Sequence, residues 1–248
     1  MSQRDSRPAR PEYDDPAFFL QYAQMPRSRQ GLAAAGEWAQ FSRMFPPLTG
    51  RRVLDLGCGY GWHCRFAAEQ GAAEVLGLDL SEKMLEKARS MGGEIQYRLC
   101  GIENYEYPEA AWDLVVSNLA LHYVADLDRV FSLVRRTLAE EGVFLFNIEH
   151  PVFTAGVGQE WVYGSDGRPR YWPVDGYFQP GERSTHFLGC PVVKQHHTLT
   201  QILMGLRRAG FALDWVEEAQ PPEEMKNLPG MEDEFRRPMM LLVRARKE

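Results

Sequence analysis

Short apolar runs alternate with segments of helical periodicity through the first two thirds of the chain. The runs cover residues 53–56, 75–79, 95–99, 112–118 and 143–148. Runs of this length, rich in branched residues and bounded by glycine or polar residues, are typical of buried strands. Between them, apolar residues recur at helical spacing, most clearly from Leu127 to Leu138. This alternation predicts an α/β fold with helices packed on both faces of a largely parallel sheet.

Both ends of the chain extend this pattern. Residues 14–41 have helical periodicity interrupted by Pro26, which predicts two short helices. Residues 1–11 are rich in Arg, Ser and Pro, and we expect them to be disordered. Towards the other end, residues 195–208 predict a helix that opens at 195–198, and residues 211–217 and 239–245 predict two more strands.

Residues 151–195 interrupt the regular pattern. Glycine, proline and eight aromatic residues crowd into this stretch, and its periodicity is weak. A loop of this length inside a compact domain is usually functional. We therefore expect an aromatic lid that covers the active site and shapes substrate choice, with a structural flap or an oligomer contact as the alternative. The predicted organisation is a helical cap (1–45), a Rossmann-like core (46–150), the lid (151–195), and a helix with two strands that completes the core (196–248).

The first predicted strand runs directly into three glycines at alternate positions. Gly57, Gly59 and Gly61 follow the strand, and a helical pattern begins behind them. Glycine permits a positive φ and leaves no Cβ in the way of a ligand. The start of a helix also presents free N–H groups and a partial positive charge. The stretch therefore predicts a ligand site where the strand turns into the helix.

The spacing of these glycines distinguishes between cofactors. Dinucleotide-binding enzymes use Gly-x-Gly-x-x-Gly, whereas here Asp55 precedes the run Gly-Cys-Gly-Tyr-Gly by two positions, and Asp79 ends the second strand 20 residues after Gly59. The stretch resembles the first motif of the class I S-adenosylmethionine-dependent methyltransferases, of the small-molecule type with a methyltransferase domain 11-like core. A nicotinamide-dependent oxidoreductase and a non-catalytic S-adenosylmethionine-binding protein are the alternatives.

This resemblance implies a doubly wound, Rossmann-like, seven-stranded sheet that is mostly parallel, with its last strand antiparallel. It also implies that Asp79 accepts hydrogen bonds from the ribose, that Glu103 binds the adenine amino group, and that an N-terminal segment closes over the cofactor. The predicted cofactor-binding residues are Asp55, Gly57, Cys58, Gly59, Gly61, Asp79, Leu80, Met84, Ile102, Glu103, Asn118, Leu119, Tyr22 and Arg27. S-adenosylmethionine is the expected cofactor, and S-adenosylhomocysteine is its product.

Candidate catalytic residues follow the fourth and fifth strands, whose carboxyl ends lie at the ligand edge of such a sheet. His122 and His150 are candidate general bases, because a histidine pKa near neutrality suits proton transfer. For His122, hydrogen bonding that only orders its loop is the alternative. The candidate substrate-binding residues are Glu149, Tyr171, Trp172, Tyr177, His196 and His197. We expect no metal, because neighbouring residues at a helix start point about 100° apart and no third ligand has a diagnostic spacing.

Composition narrows the class of acceptor and the compartment. The chain has 248 residues and a formal net charge of −6, which disfavours a nucleic-acid surface. The sequence Asn118-Leu119-Ala120-Leu121 stands where amino-methylating nucleic-acid enzymes carry an Asn/Asp-Pro-Pro-Tyr/Phe signature. The four cysteines show no paired metal spacing, and we expect them to be reduced thiols of a cytoplasmic protein. No apolar run approaches about 20 residues, so we expect no membrane span. We therefore expect a small-molecule acceptor and a monomer or homodimer.

Overall fold

The computed structural model describes residues 12–227 and 231–248, so the disorder expected for residues 1–11 lies outside the described residues. The helices are α1 (Pro16–Gln24), α2 (Pro26–Gln30), α3 (Trp38–Phe41), α4 (Trp62–Glu69), α5 (Glu82–Ser90), α6 (Leu127–Thr137), α7 (Pro151–Thr154) and α8 (Leu199–Arg208). The strands are β1 (Arg52–Leu56), β2 (Glu74–Asp79), β3 (Gln96–Leu99), β4 (Trp112–Asn118), β5 (Leu138–Glu149), β6 (Val162–Tyr163), β7 (Pro169–Tyr171), β8 (Gly181–Phe187), β9 (Cys190–His196), β10 (Phe211–Ala219) and β11 (Met240–Lys247).

Seven of these strands form the central sheet, in the order β3-β2-β1-β4-β5-β11-β10. Strands β1 to β5 are parallel, and β11 is antiparallel to both of its neighbours. The doubly wound sheet with an antiparallel last strand is therefore confirmed. The chain reverses its direction of travel between β1 and β4, which is the position where folds of this kind bind ligands.

The two faces of the sheet bury different sets of side chains. One face packs against α6 and α8 through a core that includes Phe131, Phe144, Phe146, Ile202 and Leu206. The opposite face packs against α3, α4 and α5 through Phe41, Cys64, Ala67, Leu85 and Leu145, among others. Each face is closed by helices, as a parallel sheet requires.

On the second face of the sheet, the side chains change from apolar to polar towards the carboxyl ends of the strands. Side chains two residues apart on a strand share a face, so the apolar rows of this face continue into polar residues. These residues are Asp55 on β1, Asp79 on β2, Asn118 on β4, and Asn147 and Glu149 on β5. The polar row runs across the sheet at one edge and marks the side on which a ligand site can form.

Most helix limits follow from local capping. The predicted pair of short helices around Pro26 is confirmed as α1 and α2. Ser81 caps α5, because its hydroxyl accepts a hydrogen bond from the Met84 N–H at 3.2 Å. The prediction that a helix opens at 195–198 was wrong at its start. Thr198 caps α8 through a capping box, whereas His196 still lies in β9.

The segment 151–195 is more regular than its sequence indicates. It contains α7 and two antiparallel hairpins, β6–β7 and β8–β9. The expectation of a largely irregular loop was therefore wrong. The inward-facing row of β9 contains Val192, Lys194 and His196, all buried, and the polar members of that row hide the alternation from which a strand is normally recognised.

Candidate active site

The glycine-rich turn after β1 is held against the end of β2. The N–H groups of Gly57 and Cys58 both donate to the carbonyl oxygen of Leu78 at 2.8 Å. Gly57 has a φ of +75°, and a Cβ placed on it would lie 2.3 Å from the Cβ of Ala120. Close packing therefore requires glycine at this position independently of any ligand.

Gly61 and Gly59 differ in what surrounds them. A Cβ on Gly61 would lie 2.3 Å from the hydroxyl of Tyr97, so Gly61 is also required for packing. A Cβ on Gly59 would meet only the hydroxyl of Tyr22, at 4.0 Å, although its φ is +54°. The backbone of Gly59 therefore faces open space, and a cofactor could approach it as the motif requires.

Tyr22 and Arg27, the two predicted cap residues, lie on the N-terminal helices. The Tyr22 ring packs edge-on against Tyr60 and Tyr13 with centroids 5.5 Å apart in each case. Burial raises the pKa of Tyr22, so its hydroxyl stays neutral above Gly59. The Nη2 atom of Arg27 lies 2.8 and 2.7 Å from the two carboxylate oxygens of Glu37, which ties the end of this cap together.

Asp79 connects the glycine-rich turn to the start of α5. Its Oδ2 accepts a hydrogen bond from the Gly59 N–H at 2.8 Å, and its Oδ1 accepts one from the Ser81 N–H at 2.9 Å. A carboxylate has about four lone-pair sites, so each oxygen can accept one further hydrogen bond, as two ribose hydroxyls would require. Burial raises the pKa of Asp79, and these backbone hydrogen bonds oppose that rise. The neighbouring Leu80 is 56% exposed and offers an apolar surface beside the carboxylate.

Three of the predicted cofactor residues are buried, namely Asp55, Cys58 and Met84. Asp55 is buried, and its Oδ2 accepts a hydrogen bond from the Cys64 thiol at 3.2 Å. Burial raises the pKa of Asp55 to about 7 and that of Cys58 to about 11. Met84 is also buried, in the first turn of α5. In this conformation these three side chains present almost no accessible surface.

The remaining predicted cofactor residues follow β3 and β4. Ile102 is partly buried and Glu103 exposed, in a single 3-10 turn after β3. The Asn118 side-chain oxygen accepts a hydrogen bond from the Asn147 amide at 2.9 Å. Leu119 has a φ of +55°, and its N–H donates to the Asn147 carbonyl oxygen at 2.8 Å. The loop after β4 is therefore fixed to the end of β5.

His150 caps a helix. Its Nδ1 accepts a hydrogen bond from the Val152 N–H at 3.1 Å, and its Nε2 lies 2.9 Å from a carboxylate oxygen of Glu218. Burial lowers the pKa of His150, and Glu218 opposes this effect. The contact of Nε2 with Glu218 is an ion pair by distance and lacks hydrogen-bond geometry, so the role of His150 as a general base stays a prediction.

His196 and His197 also bind structural partners. The Nδ1 of His196 lies 2.7 Å from the Thr154 hydroxyl, and its Nε2 lies 2.8 Å from the carbonyl oxygen of Tyr177. The Nε2 of His197 lies 2.9 Å from the carbonyl oxygen of Val124. These contacts join the lid to the core and give both histidines a role that needs no substrate.

His122 differs from these three histidines. Its side chain is buried, its Nδ1 has no hydrogen-bond partner among the described residues, and its Nε2 lies 3.9 Å from a carboxylate oxygen of Glu149. Burial lowers its pKa to about 4, so the imidazole is neutral near pH 7 and can accept a proton. A pKa this far below neutrality also makes the imidazole a weak base, so the role of His122 as a general base stays a prediction.

Glu149 contacts a residue that sequence reasoning missed. The Lys194 ammonium lies 2.6 Å from Glu149 Oε1 and 3.2 Å from Gln159 Oε1. The two charged side chains are only 5% and 9% exposed for Lys194 and Glu149, respectively. An inward-facing lysine in a hairpin gives no periodic signal, and no motif joins it to a residue 45 positions earlier.

The predicted lid aromatics occupy different places. Trp172 stacks on Phe153 with centroids 5.2 Å apart, and the Tyr177 hydroxyl accepts a hydrogen bond from the Leu199 N–H at 3.1 Å. Tyr171 is 57% exposed. Trp172 and Tyr177 therefore build the lid and its junction with α8, and their predicted contact with an acceptor stays a prediction.

The lid and the N-terminal cap meet above the ligand edge of the sheet. Phe187, near the tip of the β8–β9 hairpin, lies 5.9 Å from Phe18 of α1 between ring centroids. The hydroxyls of Tyr13 and Tyr123 lie 3.2 Å apart, which joins the cap to the loop after β4. These two contacts join the cap to the lid and to the loop after β4.

The described residues show neither a metal site nor a membrane-spanning helix. Residues 12–227 and 231–248 contain no group of three or more His, Cys, Asp or Glu side chains arranged to hold a metal ion. Over the same residues, we find no helix with the length and apolar character needed to cross a membrane.

Comparison with known proteins identifies the family. A methyltransferase domain model matches residues 54–146, from β1 to β5. A solved S-adenosylmethionine-dependent methyltransferase from Mesorhizobium loti is 44% identical, with a TM-score of 0.81 over 88% of this chain and 100% of that chain. A solved protein from Listeria monocytogenes, assigned to the same class, is 46% identical, with a TM-score of 0.84 over 88% of this chain and 99% of that chain. The chain belongs to the class I S-adenosylmethionine-dependent methyltransferases, and S-adenosylmethionine is its cofactor.

Of two other relatives, one has no assigned activity and the other matches this chain over less than half of its length. An uncharacterized protein of Haemophilus influenzae is 30% identical over 95% of this chain and 96% of its own. The malonyl-[acyl-carrier protein] O-methyltransferase of Salmonella typhimurium is 40% identical over 102 residues, which is 40% of each chain. The chain thus spans about two fifths of that enzyme, and the acceptor has to be argued from the site itself.

Proposed function

We propose that this methyltransferase transfers the methyl group of S-adenosylmethionine to a small molecule enclosed beneath the lid, between the loop after β4 and the end of β5. The observation that carries this proposal is the buried contact of Lys194 from the lid with Glu149 from the sheet, at 2.6 Å. With the hairpin in this position, the acceptor end of the site is covered by protein. The net charge of −6 further disfavours a nucleic-acid substrate.

The cofactor end of the site suits its ligand. Gly59 leaves room for close approach, Asp79 retains lone pairs for the ribose, and Leu80 offers an apolar surface for the base. When bound, S-adenosylmethionine supplies a methyl group on a positively charged sulfur, which is already a good leaving group. The protein then has to orient the two reactants and exclude water.

The acceptor end contains one neutral side chain that could receive a proton, although its low pKa makes it a weak base. His122 is buried and neutral, and it lies beside Glu149. If the reacting atom of the acceptor carries a proton, the imidazole can receive it during the transfer. An acceptor without such a proton would need only alignment.

The division into cap, core, lid and C-terminal part is proposed on the same grounds. The cap (1–45) and the lid (151–195) meet at Phe18 and Phe187 above the core, which supports a joint role in covering the site. Cys58, Cys64, Cys100 and Cys190 carry free thiols, and this supports the expected cytoplasmic location.

The proposal can be tested with S-adenosylmethionine that carries a deuterated methyl group. The enzyme is incubated separately with a filtered small-molecule cell extract, total protein and total RNA, and the label is located by mass spectrometry. We expect label in a small molecule and none above background in the macromolecules. The Gly59→Val variant serves as a control for cofactor-dependent transfer. Label confined to protein or RNA would contradict the proposal.

A further inference from the structure

Lys194 occupies a position that normally holds an apolar side chain. It lies between Val192 and His196 in the buried row of β9, and its side chain is 5% exposed. Burying a charged group is costly unless it is paired and hydrogen bonded. Glu149 provides the opposite charge at 2.6 Å, and Gln159 provides a second oxygen at 3.2 Å.

Stability alone does not account for this pair. A buried ion pair is often no more stabilising than well-packed apolar residues of the same volume, because the loss of hydration offsets the attraction between the charges. Removing one partner, in contrast, leaves a buried unpaired charge and is strongly destabilising. The pair therefore has to be explained by what else lies around it.

Besides the amide nitrogen of Gln159, three buried atoms around the pair have no hydrogen-bond partner within the described part of the chain. They are Glu149 Oε2, Asn147 Oδ1 and His122 Nδ1, and their side chains belong to residues that are 8%, 0% and 3% exposed, respectively. Asn147 and Glu149 are two positions apart on β5 and so share a face of the sheet. Buried polar atoms without partners are rare in native proteins, so three beside one ion pair indicate a place for a ligand.

All three atoms are suited to accept hydrogen bonds. Two are carbonyl-type or carboxylate oxygens, which can only accept. The Nε2 of His122 faces the Glu149 carboxylate at 3.9 Å, which favours the tautomer with its proton on Nε2 and leaves a lone pair on Nδ1. A ligand that satisfies these atoms has to donate hydrogen bonds, and one that also satisfies Gln159 Nε2 has to accept one. A hydroxyl group can do both without carrying a charge.

The local charges already cancel. Glu149 and Lys194 neutralise each other, and the buried Arg237 on the neighbouring side is paired with Glu234 at 2.9 Å. Arg237 Nε and Nη1 have no hydrogen-bond partner among the described residues, but the charge of this guanidinium is balanced by Glu234. A carboxylate or ammonium group on the ligand would therefore add an uncompensated charge to the cluster. The Lys194 ammonium also lies 5.7 Å from the ring centroid of Phe153 and 5.7 Å from that of Phe187, so apolar rings flank the polar cluster.

We propose that the Glu149–Lys194 pair sets acceptor specificity, admitting an uncharged, hydroxyl-bearing small molecule and rejecting free acids and amines. This inference rests on the proposed function of the same site. In the reaction, the acceptor oxygen forms a bond to the methyl carbon as the sulfur–carbon bond breaks, the electron pair of that bond stays on sulfur, and the hydroxyl proton passes to Nδ1 of His122. Methyl ether and S-adenosylhomocysteine are the products.

The test uses three probes of similar size and different charge: catechol, benzoate and benzylamine. Their affinities are measured by ligand-observed NMR in the presence of S-adenosylhomocysteine. For the wild-type protein we expect catechol to bind at least about tenfold more tightly than either charged probe. Lys194→Met leaves Glu149 unpaired and should shift the preference to benzylamine, whereas Glu149→Gln leaves Lys194 unpaired and should shift it to benzoate.

Two further variants keep the test informative if a single substitution prevents folding. Lys194→Arg retains the ion pair and should keep the wild-type order of affinities. The double variant Glu149→Met with Lys194→Met should remain folded and lose the preference for catechol. As a matched control, Lys226→Met removes an exposed pair with Glu223 and should change none of the affinities.

The inference is overturned if a charged probe binds the wild-type protein as tightly as catechol, if no probe binds, or if the order survives loss of the pair. The labelling experiment separates this failure from that of the proposed function. Label in a small acid or amine would contradict only the inference drawn from the Glu149–Lys194 pair, whereas label in a macromolecule would contradict the proposed function.

Discussion

Replacing Asp79 by alanine tests how the turn and the cofactor depend on one carboxylate. The substitution removes the acceptor for two backbone N–H groups, those of Gly59 at 2.8 Å and Ser81 at 2.9 Å. A hydrogen bond to a charged group contributes about 1.5–3 kcal/mol. Relief of the carboxylate's own burial offsets part of this loss, so we expect the free energy of unfolding to fall by about 2–4 kcal/mol.

The folded variant should also bind the cofactor more weakly. If the carboxylate also accepts the ribose hydroxyls, its removal costs about 2 kcal/mol or more in binding, which is roughly a 30-fold rise in the dissociation constant of S-adenosylhomocysteine. Calorimetric titration measures the dissociation constant, and urea denaturation measures the stability. Asp79→Asn keeps one side-chain oxygen and should give an intermediate result.

Asp113→Ala is a matched control for Asp79→Ala. Asp113 accepts hydrogen bonds from the backbone and side chain of Arg52, at 2.8 and 2.9 Å for the closest pairs, at the opposite end of the sheet. Its loss should also reduce stability but leave the cofactor affinity unchanged. If Asp79→Ala binds S-adenosylhomocysteine within twofold of wild type while folded, the placement of the ribose beside Asp79 is wrong.

Three other outcomes follow from the site. Gly59→Val should abolish cofactor binding measured by calorimetry. The control Gly50→Val, at a φ of +73° with no atoms within 4 Å of an added Cβ, should cause similar backbone strain but leave binding intact. Equal cofactor affinities of the two variants would show that the glycine-rich turn is misplaced. Unfolded His122 binds a proton below about pH 6.5, whereas the folded protein binds one there only below about pH 4. The free energy of unfolding should therefore fall by about 3 kcal/mol as the pH drops from about 6.5 to about 4. His122→Gln should reduce the slope of stability against pH, and an unchanged slope would refute the low pKa. Deleting much of 151–195 should keep cofactor affinity within tenfold, or ~1.4 kcal/mol, but abolish methyl transfer, and retained transfer would rule out a covering role.

The sheet was predictable because its signals are local. Each strand of the core is a short apolar run, and each turn or cap is marked by residues such as Gly57 and Ser81 close by in sequence. The β8–β9 hairpin was not predictable in this way. Its inward row contains Lys194 and His196, whose partners Glu149 and Thr154 lie more than 40 residues away, so the alternation of apolar and polar residues is lost.

The residues of the candidate site also differ in whether local sequence signals indicate them. The cofactor residues lie within a few positions of one motif, so the sequence indicates them together, although it does not show that Met84 is buried beneath the cleft. The histidines look equivalent in sequence, and only three-dimensional contacts distinguish them. His150 has both ring nitrogens near structural partners, whereas His122 retains a buried nitrogen without one among the described residues.

The position of β11 sets the order in which the acceptor end can assemble. Residues 240–247 insert between β5 and β10, and Met240 pairs with Glu149 across that boundary. During synthesis, the edge of β5 therefore stays unpaired until roughly ninety further residues have left the ribosome. Exposed strand edges are templates for aggregation, so the strand that carries Glu149 is most vulnerable before the chain is finished. A chaperone that shields an open sheet edge would thus act on the strand that carries Glu149.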